Sequence, residues 1–340
     1  MTPSRFQAIT RRYRDLSIAV LGDFCLDRYL EIDPARKELS LETHLPVHNV
    51  VNVRAQPGGA GTILNNLAAL GVGAIFPIGF VGEDGEGLEL LNALGKRPGV
   101  RMDYVVRTAQ RRTFTYCKPL VMTANQPPVE LNRFDFKNWT PTPASLQKEV
   151  QERLEDAAGL VNAIIVLEQV DIPETGVVAK TVLAGLKGIV ETNPQLLIVS
   201  DSRRGLRGYP PVTLKMNAAE LRALTGATGD ETIDTIQKTA ASLAQERGRI
   251  VFVTLAEKGI VAASPQGEIE HVPALPVRGP IDIVGAGDAV TANITSALTG
   301  GATLRESLEM ATAAGSVVIH KLGTTGTASV DELARLLARC

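Results

Sequence analysis

Ser17-Ile-Ala-Val-Leu-Gly22 is an unbroken apolar run that ends on a glycine and is followed at once by Asp23. A strand that is apolar at successive rather than alternate positions is buried on both faces, the condition of a central strand in a parallel sheet. Gly22-Asp23 then opens a loop at the carboxyl edge of that sheet, the edge where open α/β sheets hold their ligands. Strand-like runs return at 75–81, 163–167, 196–200, 212–215 and 250–255. Between them lie helical patterns: from Gly59 to Leu70, stopped by Gly71, then 83–94, 143–156 and 174–190, with further helices starting at Ala218 and Ile233. This alternation predicts a doubly wound, mostly parallel α/β sheet with helices on both faces. A β-rich piece follows at 259–272, and two helices, about 286–299 and 303–320, are expected to finish the chain.

Two stretches break the alternation. Charged turns and the run His48-Asn-Val-Val-Asn-Val53 fill about 29–56, and residues 103–121 and 129–134 have β character, including the alternating Arg112-Thr-Phe-Thr-Tyr-Cys117. They predict a small β-sheet inserted at about 29–56 and 110–135 into one domain spanning 1–340. There is neither an internal repeat nor a low-complexity linker.

The bulk numbers exclude several classes. With 44% hydrophobic and 21% charged residues, the 340-residue chain has an ordinary globular composition. A net charge of -2 provides no basic surface for nucleic acid. Cys25, Cys117 and Cys340 are odd in number and far apart, as free thiols in a reducing compartment are. His44 and His48 lie four apart, but Leu45-Pro46-Val47 between them reads as extended, which argues against a helical metal pair. The N-terminus lacks a signal-peptide pattern, and the longest apolar stretch, 71–82, is too short for a membrane span and is broken by Pro77. A cytoplasmic protein is expected.

Chemistry is most concentrated at Asp282-Ile-Val-Gly-Ala-Gly-Asp288, which precedes a run of small and apolar residues with the composition of a buried helix. A glycine-rich turn that opens a helix leaves N–H groups unpaired beside the positive end of the helix dipole, a site for anionic oxygen. A carboxylate at the end of such a turn, Asp288, suits the acceptance of a proton from a nucleophile, so the combination points to phosphoryl transfer to a hydroxyl. Alternatively, Gly285 and Gly287 only make a tight turn and Asp288 caps the helix.

Further segments in the same order are Gly22-Asp-Phe-Cys-Leu-Asp27, the Gly58-Gly59 helix entry, Gly79-Phe-Val-Gly-Glu-Asp-Gly-Glu-Gly87, Asn217-Ala-Ala-Glu220 and Val253-Thr-Leu-Ala-Glu-Lys-Gly259. With these, the chain resembles the ribokinase-like (PfkB) carbohydrate kinases from about Ile18 to Leu333. Within that family, the Asp23–Tyr29 segment, Ser40-Leu-Glu42 with Pro46-Val47, and Lys321-Leu-Gly-Thr-Thr325 look most like the bacterial D-glycero-D-manno-heptose 7-phosphate kinases. The resemblance implies ATP as donor and Asp288 as general base, with Gly285, Ala286 and Gly287 donating N–H groups to the transferring phosphoryl oxygens.

Asn217 and Glu220, three apart at a helix entrance, can hold the water shell of Mg²⁺; as an N-cap with a first-turn acid they would also be unexceptional. By resemblance, Thr254, Leu255 and Gly259 border the nucleotide, and Asp282 binds a monovalent cation such as K⁺ behind the turn. On the acceptor side, Asp27 is suited to accept hydrogen bonds from sugar hydroxyls, or to pair with Arg28. Gly58 and Gly59 let the backbone approach the sugar. Arg203 or Arg204 could hold a phosphate already on the acceptor, or be solvated loop residues. The inserted sheet would close over the acceptor as a lid that excludes water, and its apolar face predicts a lid-to-lid homodimer.

The sequence departs from the family on the acceptor side. Thr62 stands where an asparagine is usual, Glu168-Gln-Val-Asp-Ile-Pro-Glu-Thr-Gly176 replaces an Asp-Tyr-Gly-Lys-Gly segment, and Ile283-Val284 replaces a threonine-rich pair. A catalytically silent sugar- or nucleotide-binding regulatory protein on the same fold is the alternative; the joint presence of Asp288, Glu220 and Asn217 argues against it. The first βα turn lacks the glycines of a dinucleotide site. A fused nucleotidyltransferase is not expected, because no His-x-Gly-His segment is present.

Overall fold

A short helix, α1 (Pro3–Thr10), leads into β1 (Ser17–Gly22), whose side chains divide between two cores. Ile18 and Val20 pack into one with Phe6 and Ile9 of α1, while Ala19 and Leu21 enter the other, so the unbroken apolar run serves both faces of the sheet. The computed structural model describes residues 1–228 and 232–338; Cys340 lies outside the described residues.

From β1 the chain leaves the main sheet through β2 (Phe24–Leu39) and β3 (Pro46–Gly59), a long antiparallel pair. It returns through α2 (Ala60–Ala69), β4 (Ala74–Gly82), α3 (Gly85–Gly95) and β5 (Val105–Thr108). It leaves again for β6 (Phe114–Val121), β7 (Val129–Glu130) and β8 (Phe134–Phe136). Next come α4 (Ala144–Ala158), β9 (Ala163–Glu168), α5 (Lys180–Thr192), β10 (Leu197–Ser202), β11 (Thr213–Asn217), α6 (Ala218–Thr225) and α7 (Ile233–Arg247). The chain continues with β12 (Val251–Thr254), β13 (Ile260–Ala263), β14 (Ile269–Val272), α8 (Ala286–Thr299), α9 (Leu304–Ile319) and α10 (Val330–Leu337).

The main sheet has nine strands in the order β14-β13-β12-β11-β10-β9-β1-β4-β5. All neighbours are parallel except at the β12-β13-β14 end. Helices cover both faces, so the architecture is the doubly wound α/β sheet that the alternation predicts. The chain winds from β1 first toward β4 and later toward β9, which puts the reversal of strand order, and hence a crevice, at the carboxyl ends of β1 and β9. Asp23 and Glu168 stand at those ends, with Asp201 at the end of β10 and Asn217 at the end of β11. A second sheet, ordered β3-β2-β6-β7 with β8 beside β6, is built on the two excursions.

The structure corrects four sequence expectations. Residues Val105–Thr108, grouped with the inserted strands, instead pair in parallel with β4; they follow α3 directly, and a right-handed crossover returns them to the main sheet. The helix expected from 174 begins at Lys180, because the carboxylate of Asp23 takes the amides of Gln169, Val170 and Val177 at 2.8, 3.3 and 2.7 Å and holds that segment as a loop. The chain gains α1 at its start, and it does not finish with two helices. α10 is closed by a reciprocal Ser329–Glu332 cap and buries Leu333 and Leu336.

Candidate active site

Gly285 stands before the first residue of α8 with φ +81°, a left-handed conformation suited to glycine, and no side chain caps the helix. The Ala286 N–H is turned back onto the Ile283 carbonyl at 3.2 Å, which removes Ala286 from the expected set of donors. Among the described residues, the amides of Gly285, Gly287 and Asp288 meet no protein acceptor. Asp282 shapes the approach: its amide donates to the Ile319 carbonyl at 2.8 Å, and its Oδ1 accepts the Val284 N–H at 3.0 Å.

The Asp288 carboxylate, half-buried, has no hydrogen-bond donor among the described residues. Loss of surrounding water pushes its pKa up to about 7; Asp201 adds to the rise, Lys215 opposes it, and Asp27 adds a smaller repulsion. Lys215 and Asp201 are buried and joined at 2.7 Å. The Lys215 ammonium lies 3.1 Å from the position a Cβ on Gly287 would take, so this glycine lets a cation approach the turn.

Asp27, on β2, is also buried and pairs with Lys118 of β6 at 3.2 Å. Burial raises its pKa and the ammonium opposes the rise. A Cβ on Gly58 would come within 2.6 Å of Asp27 Oδ2, so the bare backbone is what gives this carboxylate its room. Gly59 caps α2 without a side chain, and the next amide, Ala60, donates to the Asp23 carbonyl at 3.0 Å. Thr62 is buried on α2; its methyl is 3.4 Å from a Cβ position on Gly285, so it packs against the anion turn. The neighbouring asparagines are structural: Asn65 reaches the Pro57 carbonyl, and Asn66 bridges the Thr62 carbonyl and the Ala328 amide.

The two arginines after β10 separate cleanly. Arg204 is bonded at 2.8 Å to Glu168, which is 1% exposed and also accepts from Ser202 at 2.6 Å and Tyr209 at 3.2 Å. It is committed to that buried acid. Arg203 remains 54% exposed and meets Asp171 at 3.3 Å. Arg133, from the second sheet, lies over the Tyr116 ring, and Lys118 over the Tyr29 ring.

Asn217 and Glu220 form a reciprocal cap of α6: the Asn217 amide donates to Glu220 Oε2 at 2.7 Å, and the Glu220 amide to Asn217 Oδ1 at 2.9 Å. Burial and the nearby Asp201 hold the Glu220 pKa above its ordinary value, while the Asn217 amide draws it down. Thr254, Leu255 and Gly259 make the turn from β12 to β13. Thr254 Oγ1 donates to the Met216 carbonyl at 3.3 Å, the Leu255 amide to the Gly259 carbonyl at 2.8 Å, and a side chain on Gly259 would run into the Val272 carbonyl.

The structure thus brings Asp288, Gly285, Gly287, Thr62 and Asp27 near one another, together with Lys215, Asp201 and Lys118. A signal for Lys215 was present: a lysine inside the apolar run Val212–Met216 is out of place on a buried strand unless paired.

Comparison with known proteins fits this geometry. The family described as pfkB family carbohydrate kinase matches residues 17–331. A protein of Azorhizobium caulinodans named bifunctional protein HldE is 32% identical over 308 residues, covering 90% of this chain and 61% of that relative. The chain spans 61% to 65% of the length of the first curated relatives it matches. Among solved structures, Arabidopsis thaliana ribokinase complexed with ribose and ATP superposes with a TM-score of 0.64 at 21% identity, over 95% of this chain and 98% of that one. Phosphofructokinase-2 from Escherichia coli in complex with potassium gives 0.67 at 19% identity, over 95% and 98%. The fold is ribokinase-like.

Because Asp288 ionises in the folded chain only near pH 7, but near 3.8 when unfolded, its charge costs stability as pH rises through that window. Asp288→Asn is therefore expected to gain stability over the parent at pH 8 and to lose that advantage at pH 4. Urea titrations at the two pH values check it; an equal effect at both contradicts the raised pKa.

Proposed function

The chain belongs to the pfkB family of carbohydrate kinases and is a phosphotransferase with an alcohol acceptor; from that premise we propose that it transfers the γ-phosphoryl group of ATP to a hydroxyl of a sugar phosphate, with a heptose 7-phosphate-like acceptor. The unpartnered Asp288 carboxylate beside the free amides of Gly285, Gly287 and Asp288 carries this reading. Asp288 takes the proton of the attacking hydroxyl. Its pKa near 7 keeps it both ionised and basic enough for that transfer at neutral pH. The amides, fixed before the reaction begins, stabilise charge on the migrating phosphoryl oxygens.

Asp27, in the room left by Gly58, accepts from the sugar hydroxyls. Arg203, 54% exposed, suits a phosphate on the acceptor, whereas Arg133 is held by Asp135 and Lys118 by Asp27. Thr254, Leu255 and Gly259 set the turn that borders the adenosine. The donor set also fits magnesium: Glu220 uses Oε2 in its cap, and a cation at that edge would relieve its crowding by Asp201. Glu220 and Asn217 would hold Mg²⁺ through its water shell, and the ion neutralises the ATP phosphates when bound. Asp282 keeps one carboxylate oxygen for a K⁺ ion behind the turn.

No helix of the described residues is long and apolar enough to cross a membrane, and Cys25 and Cys117 are free thiols, in keeping with a cytoplasmic enzyme. The second sheet serves as a lid. Val50, Val51 and Val53 on β3 are 42–53% exposed, an apolar strip that a second copy of the chain would cover.

An ADP-release assay over heptose phosphates, hexose phosphates, free sugars and nucleosides is expected to single out a sugar phosphate. Asp288→Asn should lower kcat on it by about 10²–10⁴-fold with little change in ATP affinity. Turnover that survives the substitution removes Asp288 as base. In light scattering coupled to gel filtration, the mass is expected at about twice 36.2 kDa, shifting to one chain when Val51 and Val53 become Asp; a monomeric parent excludes the lid dimer.

A further inference from the structure

Lys215 is left without a task by the proposed reaction. It is 7% exposed on β11, between the buried Leu214 and Met216, and its Nζ is 2.7 Å from Oδ2 of Asp201, itself 9% exposed. Such a pair is a weak source of stability, since removing both charges from water offsets their attraction, and two apolar side chains would fill the space as well. Its location suggests a different use. The ammonium lies against Gly287, 3.1 Å from the Cβ position, and the hydroxyl of Thr291, one turn beyond Asp288, donates to the Gly287 carbonyl at 3.0 Å and stands 3.4 Å from the same Asp201 oxygen. The ends of β10 and β11 are thereby brought against α8 on either side of Asp288.

The groups that face Asp288 are Asp201 from β10, Lys215 from β11, and Asp27 and the Cys25 thiol from β2. Glu220 of α6 faces Lys215 in turn, and Lys118 is occupied by Asp27. Among these groups, Lys215 is the cation that acts on Asp288. We propose, resting on the assignment of Asp288 as base, that Asp201 and Lys215 form a positioning pair that packs against the first turns of α8 and fixes the place of Asp288. Lys215 favours the carboxylate and Asp201 opposes it, so the pair adjusts the base while fixing its place.

The direct test needs no sugar. Carbon-13 NMR of the aspartate carboxyls in the full chain, with Asp288→Asn to assign the resonance, follows the titration of Asp288. Lys215→Met is expected to move it upward by roughly one pH unit, and Asp201→Asn to move it downward by a similar amount. A loosened fold would not drive the two variants apart, so shifts in the same direction, or none, overturn the proposal. Where Lys215→Met does not fold by near-ultraviolet circular dichroism, Asp201→Asn alone decides: a downward shift supports the pair, and anything else overturns it. The acid limb of the kcat profile, measured on the acceptor found active, should follow the same opposite shifts. Opposite shifts in the spectrum with an unmoved acid limb would sustain the coupling and remove Asp288 as the base.

Discussion

Parallel strands deliver all their carboxyl ends to one edge, and here that edge collects acids that the interior must accommodate. Each of four acids has a partner: Asp23 holds three backbone amides, Glu168 holds Ser202, Arg204 and Tyr209, Asp201 holds Lys215, and Asp27 holds Lys118. A buried charge left unpartnered is costly, which is why such groups are almost always satisfied. Asp288 departs from that pattern, with no donor of its own and a turn of free amides beside it. The role proposed for it follows from the same constraint that commits Asp23 and Glu168 to the structure.

The parts of the fold written in apolar periodicity were legible. Ser17–Gly22 reads as a doubly buried strand because nothing polar interrupts it, and the later helix–strand alternation leaves little choice of architecture. What depended on distant partners was not. The loop that delays α5 to Lys180 is held by Asp23, more than a hundred residues away, and the helical pattern of 174–179 gives no hint of it. α10 is short and rests on a Ser329–Glu332 cap and two leucines, a signal easily passed over after two long helices.

The candidate site follows the same division between local and distant signals. Asp288 and its glycines stand out because the chemistry sits in adjacent residues, whereas the Lys215–Asp201 pair is assembled from two strands and shows only as a lysine where none belongs. Arg203 and Arg204 are neighbours of like chemistry with different fates, decided by whether Glu168 is within reach. Ala286 lay inside the motif, yet its amide is spent on the Ile283 carbonyl, a detail of turn geometry that residue identity does not carry. Gly259 likewise owes its identity at least in part to the Val272 carbonyl beside it.

The proposed chemistry centres on one carboxylate left free beside one set of free amides. A crystal structure with a non-hydrolysable ATP analogue and Mg²⁺ tests it most directly. The terminal phosphate should lie within hydrogen-bonding distance of the Gly287 and Asp288 amides, on the side of the turn that faces Asp27. A terminal phosphate bound elsewhere, with those amides still unpaired, would contradict it.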